Sequence, residues 1–185
     1  MKRAARAAAL DARRALSARD RYSASASICE RIVRSHEFRS CKLLGAYLPM
    51  RDEVDTTAII ERAWSAQKRV FAPVTDTHGV MNFCEIEPDT VVTRNRFGLW
   101  EPASGIIIDA RDLDVVITPV VAFDEDKHRI GMGGGYYDRC FHFLRNRRKW
   151  RKPKLIGAAF SCQETTAIRS DSWDVTLYSV VTETD

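Results

Sequence analysis

Nowhere in the 185-residue chain does an apolar run approach the ~20 residues that a membrane-spanning helix needs, so no membrane partner is expected. The five cysteines (Cys29, Cys41, Cys84, Cys140 and Cys162) are odd in number and widely spaced, and no C-x-x-C pair occurs. That argues against a disulfide framework or a structural zinc site and points to the cytoplasm. The four histidines (His36, His78, His128 and His142) are scattered, and no Ser/His/Asp or Cys/His grouping marks a nucleophile. No internal repeat or low-complexity linker divides the chain, so a single domain over residues 1–185 is expected, with enough length for a full hydrophobic core.

Two nucleotide-binding signatures are also missing. A Walker loop requires G-x-x-x-x-G followed by Lys-Ser or Lys-Thr, and no such pair lies in or beside the glycine-rich segment. The dinucleotide pattern G-x-G-x-x-G fails in both registers, because the last glycine would have to replace Tyr136 or Asp138.

What is present starts with charge. The net charge of +4 is local: residues 145 to 154 carry seven basic side chains and no acid, and the remainder of the chain is net acidic. Such a run can meet anions, or it can be the solvated end of a helix, which is the commoner case; a nucleic-acid partner is not expected. The Ala- and Arg-rich start, residues 1 to 16, has high helix propensity and is read as a structured helix, since Asp11 and Asp20 do not suit a transit peptide.

Hydrophobic patterning and punctuation give the elements. Ser17, with Asp20 three residues on, is read as the N-cap of a helix reaching about Ser35. Leu43 to Leu48 is read as a strand, Thr57 to Gln67 as a helix, and Val70 to Ala72 as a strand ended by Pro73. Val80 to Ile86 alternates as a half-exposed strand, Phe97 to Pro102 has no regular period, and Ile106 to Ile108 is a short apolar run of unassigned role. Val115 to Phe123 is read as the core strand, followed by a helix over Tyr136 to Arg147. A strand over Leu155 to Phe160, a short helix near Gln163 to Ile168 and a last strand over Tyr178 to Thr182 complete the chain. Alternating strands and helices predict an α/β fold with helices on both faces of a sheet, and ligands in such folds bind beyond the carboxyl ends of the strands. The segments 48–53, 123–138 and 160–163 all fall there.

The chain holds nine glycines, and four of them crowd into the five positions 131 to 135. Glycine weakens helix and strand alike, so these residues serve backbone geometry: positive φ, and N–H groups that come close to an anion. Arg129, Asp138 and Arg139 flank them, which suggests phosphate with a metal nearby. A plain glycine-rich turn between strand and helix is the alternative.

The run Gly131-x-Gly133-Gly134-Gly135-Tyr136-Tyr137-Asp138-Arg139, preceded by Thr118-Pro119-Val120-Val121-Ala122-Phe123-Asp124, resembles the signature of the 5-formyltetrahydrofolate cyclo-ligase family. In the same order along the chain, Lys2-x-x-x-Arg6, Arg14-x-x-Ser17, Pro49-Met50-Arg51-Asp52-Glu53-Val54-Asp55-Thr56, Glu101-Pro102 and Trp173-Asp174 are similar to further signposts of that family. The resemblance implies a single three-layer α/β/α domain with a central, mostly parallel sheet. It implies ATP-dependent cyclisation of 5-formyltetrahydrofolate to 5,10-methenyltetrahydrofolate with Mg²⁺, releasing ADP and phosphate, by a monomer acting on small molecules.

By the same resemblance, Lys2, Arg6 and Arg129 would contact ATP, along with Gly131, Met132, Gly133, Gly134, Gly135, Tyr136 and Tyr137. Leu48, Glu53 and Phe97 would line the reduced-folate site together with Met132 to Tyr136, and Asp138 and Asp174 would hold Mg²⁺. No dedicated acid, base or nucleophile is implied. Two cations one helical turn apart can bracket a polyphosphate, although exposed charges on a helix face are the ordinary alternative. A carboxylate such as Glu53 can accept paired N–H bonds from a pterin edge. A binding module that had lost catalysis would lack some of Lys2, Arg6, Glu53, Arg129, Asp138 or Asp174, and all are present. A different phosphate-ester or thioester enzyme on a similar sheet would leave Glu53 and Phe97 together unexplained.

Overall fold

Two amino-terminal helices lie end to end in sequence and are joined by one capped corner. They are α1 (Lys2–Ala15) and α2 (Ala18–Arg34), and the Ser17 side chain between them accepts the Asp20 amide at 3.1 Å, as the pattern predicts. The structure, a computed structural model, describes residues 2–50, 52–76, 78–146 and 151–184. Arg147, Arg148, Lys149 and Trp150 of the basic run therefore lie outside the described residues.

A short helix α3 (His36–Ser40), not expected from the sequence, follows α2. Ser35 produces the break: it ends α2, and its side chain then caps α3 by accepting the Phe38 amide at 3.1 Å. The sheet begins with β1 (Leu43–Ala46), and α4 (Thr57–Ser65) leads to β2 (Arg69–Thr75). Then come β3 (Met81–Ile86), the small hairpin β4 (Val92–Arg94) and β5 (Trp100–Pro102), and the two-residue strand β6 (Ile107–Ile108). The previously unassigned run at 106–108 is thus an edge strand, paired with β3 at Phe83 and Cys84.

Strand β7 (Val115–Pro119) is followed by the hairpin β8 (Ala122–Phe123) and β9 (Arg129–Ile130), the glycine loop, and helix α5 (Tyr136–Cys140). Strands β10 (Lys154–Ala158) and β11 (Ser179–Val181) close the chain. The seven-stranded sheet runs β11-β10-β7-β1-β2-β3-β6, parallel from β11 to β2 and antiparallel at β3 and β6. From β1 the chain builds outward to β2 and β3 on one side and later to β7, β10 and β11 on the other. The switch in direction lies between β1 and β7, and a crevice opens beyond their carboxyl ends.

Side chains alternate cleanly across the central strands. Leu44, Ala46, Val70, Ala72, Val115, Ile117, Ile156 and Ala158 face a core shared with Ile28, Ile32, Phe38 and Ile59 of α2, α3 and α4. Phe71, Val116 and Leu155 face a second core containing Leu113, Phe141, Leu144 and Val175. Both faces are buried, which explains why the parallel strands read as continuous apolar runs. Helices cover both faces as expected, but the second layer consists of short helical turns instead of long helices.

Several expected boundaries move, four of them for reasons the contacts make plain. Pro73 sits inside β2, paired with Phe83, because β1 leaves the ladder after Phe71 and a proline is tolerated where one edge of the strand is free. The expected strand Val115–Phe123 breaks after Pro119; the carbonyls of Val120 and Val121 turn to the buried Gln163 amide (2.7 and 2.8 Å), and Ala122–Phe123 pair with β9. The helix expected over Tyr136–Arg147 gives way after Cys140 to a 3₁₀ turn over His142–Arg145. Phe141 and Leu144, both fully buried, are three apart, the spacing that a 3₁₀ turn stacks on one face. The helix expected over Gln163–Ile168 is only a 3₁₀ turn at Ser161–Gln163, since Glu164 and Thr165 are drawn along Phe123 in an extended course.

Candidate active site

A cavity of about 1040 Å³ occupies the crevice at the switch point. Tyr47, Leu48, Met50 and Glu53 reach it from the segment after β1, and Pro119, Val120 and Val121 reach it from the end of β7. Lys2 and Arg6 of α1, the glycine loop and α5, Phe97 of the β4–β5 hairpin, and the 171–174 turn complete its wall. Every candidate residue named from the sequence therefore lines one space, although the positions span residues 2 to 174.

The glycine loop is held open by arginines. Arg6 Nε donates to the Gly131 carbonyl and Arg139 Nη1 to the Gly134 carbonyl, both at 2.8 Å. Among the described residues, the amides of residues 131 to 134 donate to no backbone carbonyl, which leaves them for an anion. Gly133 and Gly135 have φ of +105° and +65°, a region in which a side chain would be strained. Gly135 in this conformation starts α5. Met132 is largely exposed at the rim.

Arg129 is nearly buried, its side chain 4% exposed, and it donates to the Val175 carbonyl at 2.6 Å and to Asp138 Oδ1 at 3.0 Å. Asp138 Oδ1 also accepts the Val175 amide at 3.2 Å. At Asp174, the residue before Val175, Lys2 Nζ lies 2.6 Å from both Asp171 Oδ2 and Asp174 Oδ2, and Asp174 Oδ2 accepts the Asp171 amide at 2.8 Å. Burial alone would depress the Lys2 ammonium; its bonds to Asp171 and Asp174 override this and raise it above the ordinary lysine value. For both Asp138 and Asp174 one oxygen is engaged, and the other takes no hydrogen bond from the described residues. Each of these carboxylates thus keeps one oxygen that could bind Mg²⁺, which takes one or two carboxylates and fills the rest of its shell with other oxygens and water.

The opposite end of the cavity is apolar and aromatic with two half-buried acids, Glu53 and Glu101. Phe97 packs edge-on against Tyr136 with ring centroids 5.8 Å apart, so Tyr136 is the tyrosine beside the expected folate aromatic. Asn95 Oδ1 fixes that hairpin tip by accepting the Phe97 and Leu99 amides, and Glu101 ties it to β2 by accepting the Thr75 amide at 3.0 Å. Tyr137 points inward instead, and its hydroxyl is buried without a hydrogen-bond partner. Burial, followed by the Glu53 charge, pushes that hydroxyl well above the usual tyrosine range. Glu53 is bent back so that Oε2 accepts the Met50 amide at 3.0 Å. Burial raises its carboxyl; the Met50 amide and the Arg13 charge oppose that rise, and Asp52 adds to it. Arg13, only 7% exposed on the inner face of α1, has an Nε without a partner.

Some site features were not anticipated. Asp171 shares Lys2 with Asp174, and the available signal was an acid three residues before an expected metal ligand. Trp100, His142 and Arg145 also line the cavity, as do Arg139 and Trp173, which the sequence singles out beside the glycine loop and Asp174. His128, the histidine nearest the glycine loop in sequence, does not line it; with Asp124 and Asp126 it forms a compact group on the β8–β9 turn. There Asp124 braces the turn by accepting the His128 and Ile168 amides at 2.9 and 2.7 Å.

The model of the 5-formyltetrahydrofolate cyclo-ligase family matches residues 1–183. The chain belongs to that family. A 5-formyltetrahydrofolate cyclo-ligase from Haemophilus influenzae is 32% identical over 172 residues, covering 90% of this chain and 89% of the relative. One from Escherichia coli K12 is 38% identical over 147 residues, 75% of this chain and 76% of the relative. The solved structure of a 5,10-methenyltetrahydrofolate synthetase from Aquifex aeolicus superposes with a TM-score of 0.84 at 28% identity, covering all of this chain and 90% of that one. That of a synthetase from Mycoplasma pneumoniae gives 0.78 at 26% identity, with 98% of each chain covered. As a cyclo-ligase family member the protein is an enzyme, and the mixed α/β fold with its mostly parallel sheet is that of its structural neighbours. No described helix is long and apolar enough to cross a membrane.

Proposed function

We propose that the protein, acting as a single domain, converts 5-formyltetrahydrofolate to 5,10-methenyltetrahydrofolate at the expense of ATP, with release of ADP and phosphate. One observation carries this reading beyond the family name: the cavity joins two chemically different halves. One half is a cationic, glycine-walled cradle; the other is apolar and aromatic, with two half-buried carboxylates, Glu53 and Glu101, of which Glu101 is bonded to Thr75 and Asn95. The first suits a polyphosphate and the second a flat heterocycle with N–H donors.

In this reading the formyl oxygen of the folate attacks the γ-phosphorus of ATP, and the bond to the ADP oxygen breaks. N10 then attacks the activated formyl carbon, loses its proton, and phosphate departs with the former formyl oxygen. Such transfer depends on alignment and charge neutralisation more than on a protein nucleophile, which agrees with the lack of one here. The free amides of residues 131 to 134 hold phosphate oxygens, and Lys2, Arg6 and Arg129 supply positive charge around them. Glu53 accepts the pterin N–H edge and thereby fixes the formyl group toward the cradle, while Phe97, Leu48 and Tyr136 exclude water from the ring. Asp138 and Asp174 are the residues that would hold Mg²⁺, which when bound offsets the charge on the phosphate oxygens.

The test is the Mg²⁺ dependence of turnover. Asp138→Asn is expected to shift the half-saturating Mg²⁺ upward by about tenfold or more, the scale on which one charged ligand contributes to a site. An unchanged Mg²⁺ requirement would remove Asp138 from the metal site.

A further inference from the structure

The first turn of α1 is built against its own electrostatics. Its sequence opens Lys2-Arg3-Ala4-Ala5 with no acid in the first turn, yet a helix N-terminus carries partial positive charge and disfavours cations. Lys2 is the first residue of the helix and would fray unless tied down from outside. The tie is the 171–174 turn, where Lys2 Nζ meets Asp171 and Asp174 at 2.6 Å each across some 170 residues of sequence. The turn itself is closed by the Asp174 amide on the Asp171 carbonyl (3.0 Å) and the Asp171 amide on Asp174 Oδ2 (2.8 Å).

Only one of these two acids is needed by the proposed metal. When Asp174 is committed to Mg²⁺ its charge is shared, and Lys2 requires another anchor to stay on the cavity wall. We propose that Asp171 is a positioning residue of the nucleotide site: it supplies from a distant turn the negative charge that the start of α1 lacks, and so holds Lys2 toward the polyphosphate. It acts through Lys2 and does not touch the reacting atoms. Lys2 and Asp171 side chains are 30% and 39% exposed, so the contribution is that of a partly solvated ion pair.

This inference rests on the proposed nucleotide site, and the experiment separates the two. Binding of a non-hydrolysable ATP analogue with Mg²⁺ is measured by calorimetry for the wild type, Asp171→Asn, Asp171→Glu, Lys2→Met and the Lys2→Met/Asp171→Asn pair. Asp171→Asn is expected to weaken binding about three- to fivefold, the range of a partly exposed pair, while leaving affinity for 5-formyltetrahydrofolate unchanged. Asp171→Glu should restore most of the loss, and Asp171→Asn should add nothing in the Lys2→Met background. Hydrogen exchange of the amides of residues 6 to 9, which bond the carbonyls of the first turn of α1, should quicken in Asp171→Asn without any ligand. Unchanged or tighter nucleotide binding in Asp171→Asn, or full additivity with Lys2→Met, would overturn the proposal. A wild type that binds the analogue but does not cyclise the folate would defeat the proposed reaction and leave the role of Asp171 standing; no binding by the wild type would defeat both.

Discussion

Replacing Arg129 by methionine removes a side chain that ties the strand before the glycine loop to Val175 and to Asp138. The guanidinium is 4% exposed and carries a 2.6 Å bond to the Val175 carbonyl and a 3.0 Å bond to Asp138. Removing one partner of a buried pair commonly costs about 3–5 kcal/mol, because the other charge is left without compensation. Asp138 is 27% exposed and keeps the Val175 amide, so water recovers part of that cost, and a loss of roughly 2–3 kcal/mol is expected. For a chain of this length each kcal/mol shifts the melting temperature by about 2–4 °C, giving a drop of roughly 4–12 °C. Urea unfolding followed by circular dichroism reads the free energy directly. The double substitution Arg129→Met/Asp138→Asn should be less destabilised than the single one, since it leaves no stranded carboxylate. A single variant within about 0.5 kcal/mol of wild type, the ordinary range for surface changes, would refute the view that Arg129 is structural as well as cationic.

Glu53→Gln should raise the KM for 5-formyltetrahydrofolate roughly 10- to 150-fold, the loss of about 1.5–3 kcal/mol of charged hydrogen bonding, with KM for ATP little changed. A parallel rise in both constants would mean that the change disturbs the whole cavity. Asp124 gives a pH-dependent test at the β8–β9 turn. Burial alone would raise its carboxyl, but the Ile168 amide and the His128 bonds outweigh that and hold it below the ordinary 3.8. A depressed folded value means its stabilisation is complete above the unfolded value and is lost as pH falls through the folded one. Asp124→Asn should therefore be about 1–3 kcal/mol less stable near neutrality, and the gap should close below pH 3.8; a gap independent of pH would contradict this.

The sheet was legible because its strands are buried on both faces and stand out as apolar runs such as Val115–Ile117. The first helix corner was legible because Ser17 and Asp20 form a local cap. Boundaries failed where long-range bonds decide them. The expected strand through Val120 breaks because Gln163, more than forty residues away, takes its carbonyl. The expected helix past Cys140 tightens because Phe141 and Leu144 must both be buried. In the candidate site, the glycines with Arg129 and Asp138 beside them stand out by type and neighbours, whereas Glu53 enters only through the family resemblance. Asp171 offers only its place three residues before Asp174, since its partner, Lys2, stands at the other end of the chain. The burial of Arg13 behind Glu53 is likewise a product of packing alone.

The most direct test of the central claim follows the absorbance of the methenyl product when folded protein is given 5-formyltetrahydrofolate, ATP and Mg²⁺. The account predicts an increase that disappears when either ATP or Mg²⁺ is omitted, with one ADP formed for each methenyltetrahydrofolate. Product formation without ATP, or folded protein that yields none with all three present, would contradict it.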